Sequence, residues 1–293
     1  MSADVTGAQS APAMQIPADE TRRIRWGPVF WLAVVIVGLI LVIAVAAEWI
    51  SPYDPFAQDL IASSQGPSAA HWLGTDQLGR DILSRLMVGS RTGIIGPAVV
   101  AICATVIGTL LGLWAGFAGG IADSVTMRSV DLAYAIPPLL LAIVLVGILG
   151  GGYWLAVAVL IVLSAPADVR VVRAAVLGQR EMPYIAAART LGLGHMRIAF
   201  KHILPNVAPT LAANALLQFV VALIALSGLA FLGIGVSAGT PDWGLMIAEN
   251  RGILDLNPWA VIGPALCITI LAVSVGLMGD RVFDVTTKRT SER

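Results

Sequence analysis

The sequence predicts an all-α integral membrane protein with six transmembrane helices, and three observations carry that prediction. Hydrophobic residues fill 57% of the 293 positions and charged residues only 12%, against about 25% charged in a soluble domain. Mean hydropathy is +0.85. Apolar runs near the ~20 residues that a spanning helix needs recur along the whole chain.

The elements follow in order. Residues 1–27 form a polar tail whose first stretch is small, Pro-containing and reads as disordered. The first span covers 28–50, with its apolar run from Pro28 to Ala47. A basic start and an A-x-A-like end at Ala44–Ala46 give it a rival reading as a cleaved signal peptide. Signal cores run about 7–15 residues, and this run is longer, which favours a retained span. A loop at 51–92 precedes a five-helix core at 93–280. Its spans are predicted at Gly93–Phe117, Leu132–Leu149, Tyr153–Ala167, Ala208–Ile234 and Trp259–Met278. The run from Tyr153 is short and contains Pro166. It spans only if the helix continues into "DVRVVRAAVL", with Arg170 and Arg173 snorkelling at the interface. Residues 281–293 form a second tail.

Six spans put both termini on one side. Assigning the tails, the second loop and the long fourth loop to the cytoplasm gathers Arg22, Arg23, Arg25, Arg128, Arg170, Arg173, Arg180, Arg189, Arg197, Lys201, Arg281, Lys288, Arg289 and Arg293 there. The opposite side keeps Arg80, Arg85, Arg91 and Arg251. This asymmetry satisfies the positive-inside rule. Net charge is zero, so no nucleic-acid partner is implied.

Several function classes are disfavoured. The predicted second span and the stretches Val207–Thr240 and Asn257–Gly279 carry no charge, whereas ion-coupled transporters and voltage sensors need ionisable groups inside the membrane. An intramembrane enzyme needs a nucleophile–base pair or metal ligands there. His71, His195 and His202 all fall outside the spans, and no metal site is expected. Cys103 and Cys267 each lie in an apolar run and read as small hydrophobes. Gly108, Gly112 and Gly116 recur every fourth residue, a small-residue stripe for close helix packing. Pro137 and Pro138 bend or start the third span. Asn214 and Gln218 share a helix face, where they either line a solute pathway or hydrogen-bond a neighbouring helix. The external acidic and basic residues Asp76, Arg80, Asp81, Arg85 and Arg91 read either as part of an external architecture or as local ion pairs on an interfacial helix.

The chain has two lysines, Lys201 and Lys288, and neither follows the glycine of a phosphate-binding Walker A loop. If transport is ATP-driven, ATP and its Mg²⁺ belong to another polypeptide, and this chain carries no cofactor. The partner then needs a docking element, and the loop at about 178–206 supplies a candidate. "PYIAAARTLG" reads as a short helix, with Pro183 in its first turn and Gly192 at its end. Its Ala186-Ala187-Ala188 run leaves one side nearly flat. Gly192 and Gly194 permit a sharp turn. "HMRIAFKHIL" then forms a second helix with Met196, Phe200 and Ile203 or Leu204 on the apolar side, Arg197 and Lys201 on the polar side, and Pro205 stopping it. A helix offered to a groove is a standard recognition mode. The competing reading is an amphipathic helix resting on lipid.

"AAARTLG" followed by "HILP" resembles the EAA loop of ABC importer permeases. Ala186 stands at the Glu position, Ala187 and Ala188 at the two Ala, Gly192 at the Gly, and Leu204-Pro205 at the closing Leu-Pro. "HWLGTDQLGRDILSRLMVGSRTG" (71–93), "FLGIGVSAGTPDWGLMIAENRGIL" (231–254) and "NPWAVIGPALCITILAVSVGLMGDRVFD" (257–284) are similar to the C-type permease subunit of dipeptide and oligopeptide importers. The sequence departs from that pattern at "SAGT", where a Pro-rich run is common, and at "VTTKR", where Leu-Asp-Pro-Arg is common. The resemblance covers about residues 20–288. It implies the type I ABC importer permease fold in a bacterial inner membrane. It further implies a second permease subunit, two ABC ATPase subunits or domains, and an extracytoplasmic solute-binding protein docking near 51–92 and 236–258. Peptides are the implied cargo, with nickel complexes, glutathione and haem-like solutes as alternatives in the same subfamily. The implied coupling residues are Ala186, Ala187, Ala188, Arg189, Gly192, Arg197, Leu204 and Pro205.

Overall fold

The computed structural model describes residues 27–291. The predicted tail before Gly27, with Arg22, Arg23 and Arg25, lies outside the described residues, as does Arg293. Helix α1 covers Pro28–Ile50, α2 Ile82–Ala118, α3 Gly120–Ala133, α4 Pro138–Ile148 and α5 Tyr153–Arg180. Then follow α6 Pro183–Thr190, α7 His195–Ile198, α8 Leu204–Phe231, α9 Trp243–Asn250 and α10 Trp259–Ser291. Five helices are long and apolar enough to cross a membrane, and a sixth span results if the bent α3–α4 pair is one crossing.

The element boundaries correct the sequence reading in four places. Helix α2 starts at Ile82 rather than Gly93, because Asp81 caps it: its Oδ2 accepts from the Ser84 N–H at 2.8 Å and from the Ser84 hydroxyl at 2.6 Å. The third span is not one helix over Leu132–Leu149. It bends by 76° between α3 and α4. Pro137 and Pro138 lack the N–H groups that would continue α3, and the residue before a proline is pushed out of the helical region. Pro205 does not stop a helix; it stands in the first turn of α8, where a missing N–H costs nothing. His195–Phe231 therefore runs as one 37-residue rod, with a π-helical turn over Ala199–Ile203. Finally, α10 passes Met278 and reaches Ser291, so most of the predicted tail at 281–293 is helical.

Helices α2 and α5 run parallel, and the glycine stripe explains their closeness. A Cβ added at Gly108 would strike Asp168, at Gly112 it would come within 2.7 Å of the Val172 Cβ, and at Gly116 within 3.0 Å of Val176. Each glycine thus faces the residue 60 positions later, turn after turn, as a small-residue seam requires. Helices α8 and α10 pack antiparallel beside this pair, with Gly279 of α10 against Leu216 and Leu217 of α8. Helix α1 begins after Gly27, which lies beside Arg281 in the last third of α10, and passes Ala44, whose carbonyl accepts from Arg91 Nε at 2.8 Å. The first and last described helices therefore start and end at the same end of the bundle.

Three apolar clusters divide the interior by depth. One joins Val100, Val146, Val157, Leu160, Leu226 and Leu229. A second joins Ile82, Leu223, Trp243, Met246 and Leu271 at the end capped by residues 51–81 and 232–258, here called the cap end. A third joins Leu113, Val172, Val176, Ile185, Ile198 and Ile203 at the opposite end, here called the loop end.

Candidate functional site

At the loop end, α6 is held by its own buried positions. Ile185 and Ala188 point inward and join Val172 and Val176 of α5 with Ile198, Ile203 and Val207 of the rod that follows. Ala186, Ala187, Arg189 and Thr190 face outward. The expected flat face of three alanines is thus a face of two, because Ala188 packs inside. Gly192 closes the helix at φ +72° with open space around it, a left-handed turn that favours glycine. Gly194 has φ −65° and needs no glycine for its backbone, which corrects the expectation that both glycines make the turn. The buried side of the next segment is Ile198, Ala199 and Ile203. Met196 and Phe200, predicted on the apolar side, instead line an exposed apolar cavity of about 470 Å³ with Leu110, Trp114 and Phe117 of α2. Arg197 and Pro205 are exposed and Leu204 is half-buried. The Arg189 guanidinium lies over the Phe117 ring at 5.7 Å.

Arg170 and Arg173 lie on the continuation of α5 that the fourth span needed, and both are ion-paired. Arg173 Nη2 donates to Asp123 Oδ2 at 2.6 Å, and Arg170 Nη2 donates to Asp131 Oδ1 at 2.9 Å. Both bonds tie α5 to α3.

The bundle interior holds a carboxylate to which the sequence reading gave no role. Asp168 is buried on α5 and accepts from Asn214 Nδ2 of α8 at 2.5 Å and from Thr105 Oγ1 of α2 at 3.4 Å. One turn further along α8, Gln218 Nε2 donates to the Ser164 carbonyl at 3.4 Å. Asn214 and Gln218 therefore both bond to α5. The extension through "DVRVVRAAVL" that the fourth span needed is present, since α5 runs on to Arg180, but the sequence reading gave the Asp168 carboxylate inside that extension no role. Its spacing from Val172 and Val176, four residues per step along the glycine seam, was the signal that could have found it.

At the cap end the two motif stretches, 71–93 and 231–258, come together. Asp76 accepts from Arg80 Nε at 2.5 Å and stands 3.6 Å from Arg85 Nε. Glu249 of α9 accepts from Arg80 Nη2 at 2.9 Å and from Arg85 Nη2 at 3.4 Å. Two arginines thus balance two carboxylates, and Arg85 also donates to the Pro55 and Gly239 carbonyls. Asn257 Nδ2 donates to the carbonyls of Leu73 and Thr75. Trp243 Nε1 donates to the Leu86 carbonyl at 3.0 Å, and its ring lies where Gly89 and Gly93 leave room. These bonds assign Asp76, Arg80 and Arg85 to the joined architecture rather than to local pairs alone. Asp81 instead caps α2 and accepts from His71 Nδ1, and Arg91 reaches α1. A polar cavity of about 440 Å³ opens beside Arg80, Glu249, Gln77 and Asn250. Among the described residues, no group of three or more His, Cys, Asp or Glu could hold a metal ion.

A bundle of spanning helices, sealed at one end by a polar cap and carrying a short exposed helix between two spans at the other, defines a multi-pass permease subunit. The match to known proteins is more particular. Residues 108–292 match the family model described as binding-protein-dependent transport system inner membrane component. Residues 19–67 match the N-terminal TM domain of oligopeptide transport permease C. The chain belongs to the binding-protein-dependent transport system inner membrane component family. It is 39% identical over 252 residues to the di/tripeptide transport system permease protein DppC of Pseudomonas aeruginosa, covering 84% of this chain and 83% of that one. It is 36% identical over 249 residues to the glutathione transport system permease protein GsiD of Pectobacterium atrosepticum, covering 84% and 82%. It is 35% identical over 253 residues to the nickel transport system permease protein NikC of Escherichia coli, covering 86% and 91%.

Proposed function

We propose that this chain is the C-type permease subunit of an ATP-driven importer of dipeptides or oligopeptides. Its partners are a second permease subunit, two ABC ATPase subunits and an extracytoplasmic binding protein. ATP and Mg²⁺ bind the ATPases, and this chain catalyses no reaction. The single observation that carries the reading is α6, a short helix with Ala186, Ala187 and Arg189 on its outer face, mounted between two spans and gripped from behind by Ile185 and Ala188. An ATPase groove engages that outer face together with Arg197, while Gly192 allows the turn and Leu204-Pro205 starts the rod back into the membrane. The loop end and both termini are cytoplasmic, in agreement with the bias of Arg and Lys toward that end. The cap end then faces the binding protein. Peptide cargo is favoured by the relatives named for di/tripeptides and for D,D-dipeptides.

The test is purification of the tagged chain in mild detergent, with identification of its partners and an ATPase assay. A stoichiometric complex with a second permease and P-loop ATPases is expected. A lone chain without ATPase would overturn the reading. Uptake of labelled dialanine, challenged with excess nickel or glutathione, assigns the cargo: competition by unlabelled dipeptide alone is expected.

A further inference from the structure

We infer that the Asp168–Asn214 bond is a positioning device that makes the loop end of α5 and α8 move as one lever. The inference rests on the coupling role proposed for α6. Helix α6 is joined to α5 on one side and, through the Ala199–Ile203 π turn, to α8 on the other. A push on α6 reaches the rest of the bundle only if those two helices do not slide past each other.

Besides the longer Gln218–Ser164 carbonyl bond one turn further from α6, two features at the loop end resist sliding. The first is the apolar cluster of Val172, Val176, Ile185, Ala188, Ile198, Ile203, Val207 and Leu211, which binds α6 to the adjoining turns of both helices. Apolar contacts are non-directional and tolerate small shifts. The second is directional. Asp168 lies one turn beyond Val172, and Asn214 lies one turn beyond Leu211, so their 2.5 Å bond closes the cluster at its inner edge. A hydrogen bond, unlike an apolar contact, demands a particular distance and angle. Thr105 holds the second carboxylate oxygen from α2. Gly108, with no room for a Cβ against Asp168, lets α2 lie close enough for this.

Just beyond the bond, on the far side from α6, Pro166 interrupts the α5 hydrogen-bond ladder. The neighbouring apolar cluster, with Val157, Leu160, Leu226 and Leu229, begins past it. The bond therefore stands at the boundary between a loop-end body that includes α6 and the remainder of the bundle. A buried carboxylate is expensive to keep. Bonded to an amide across the two helices that carry α6, it has a use that an apolar pair would not serve.

The experiment uses the whole importer complex in proteoliposomes, reading dialanine uptake per ATP hydrolysed. Asp168→Leu removes the bond without leaving a buried charge. It is expected to assemble and keep basal ATP hydrolysis, while uptake per ATP falls about tenfold, the scale at which a residue outside both sites changes coupling. The exchanged pair, Asp168→Asn with Asn214→Asp, restores one carboxylate and one amide and is expected to recover uptake to within about threefold of the parent. Unchanged uptake per ATP in Asp168→Leu overturns the inference. So does an exchanged pair no better than Asp168→Leu, or an Asp168→Leu chain that fails to join the complex, which makes the residue purely structural. Failure of the parent chain to recruit ATPases, or to move dialanine, would instead sink the proposed function, and the parent control separates the two.

Discussion

The two ends of this bundle are built from different materials. The cap end is joined by buried, directional bonds: Asp76 and Glu249 against Arg80 and Arg85, Asn257 against two carbonyls, and Trp243 against the Leu86 carbonyl. Each must be made, because an unpaired charge or amide in such a place costs several kcal/mol. The loop end holds α6 chiefly by Ile185, Ala188, Ile198 and Ile203, whose contacts are non-directional, with exposed Tyr184 bonds to Gln179 and Asn206 beside them. One end is keyed throughout by charge pairs and amide bonds, and the other grips α6 chiefly through apolar contacts, with its directional bonds set among the spans behind it. That division suits a subunit expected to receive a folded protein at one end and a moving one at the other.

Breaking the cap is expected to give the largest effect. Arg85→Met leaves Asp76 and Glu249 facing one arginine and should cost about 3–5 kcal/mol, read as a lowered thermal midpoint in detergent. Adding Glu249→Gln restores the balance of charge and should recover part of the loss. An Arg85→Met chain as stable as the parent would remove the contrast between the ends. Gly93→Ala tests the wedge beside that network. Its Cβ would sit 2.8 Å from the Trp243 ring, and overpacking of this kind costs about 1–3 kcal/mol. At the loop end, Gly192→Val meets no neighbour but strains a left-handed backbone at φ +72°, for about 1–2 kcal/mol. Its thermal midpoint should stay within a few degrees of the parent, while uptake per ATP is lost. Equal loss of stability and uptake would show that α6 is held as rigidly as the cap.

The smallest effect concerns pH. Burial raises the Asp242 carboxyl above its ordinary value, opposed by bonds from Leu245, Thr92 and Gly244. The folded state therefore favours the protonated acid. Stability from this group is fully present below the ordinary carboxylate range and is lost as pH rises through the shifted value. Asp242→Asn keeps a good helix cap and should match the parent near pH 4 and exceed it slightly near pH 7. A parent that gains stability over that rise would contradict the shift.

The sequence was legible where one physical rule decides. Apolar run length placed the spans, and proline rules correctly marked Pro137–Pro138 as a break. Spacing of Gly108, Gly112 and Gly116 announced a close seam without saying that α5 fills it. Pro205 was misread because proline is a stop inside a helix and a start at its first turn, and only the backbone says which. The cap was legible as two motifs and illegible as one site. The partners Arg80 and Glu249 lie 169 positions apart, and nothing local in either stretch names the other. Asp168 lay inside the helix extension that six spans required, and it was passed over because its partner Asn214 is 46 positions away.

The bend between α3 and α4 bears on where lipid can touch this protein. Helix α4 has 11 residues, about 16 Å of rise, roughly half the ~30 Å hydrocarbon layer. If α3 and α4 make one crossing, their break at 134–137 falls within that layer. There Tyr134, Ala135, Ile136 and Pro137 are all exposed in the single chain. Oil does not tolerate bare peptide groups, and irregular backbone survives at such depth only against protein or beside water. With α3 and α4 as one crossing, this flank is no outer wall: it is a seam left open, to be closed by another polypeptide or kept wet.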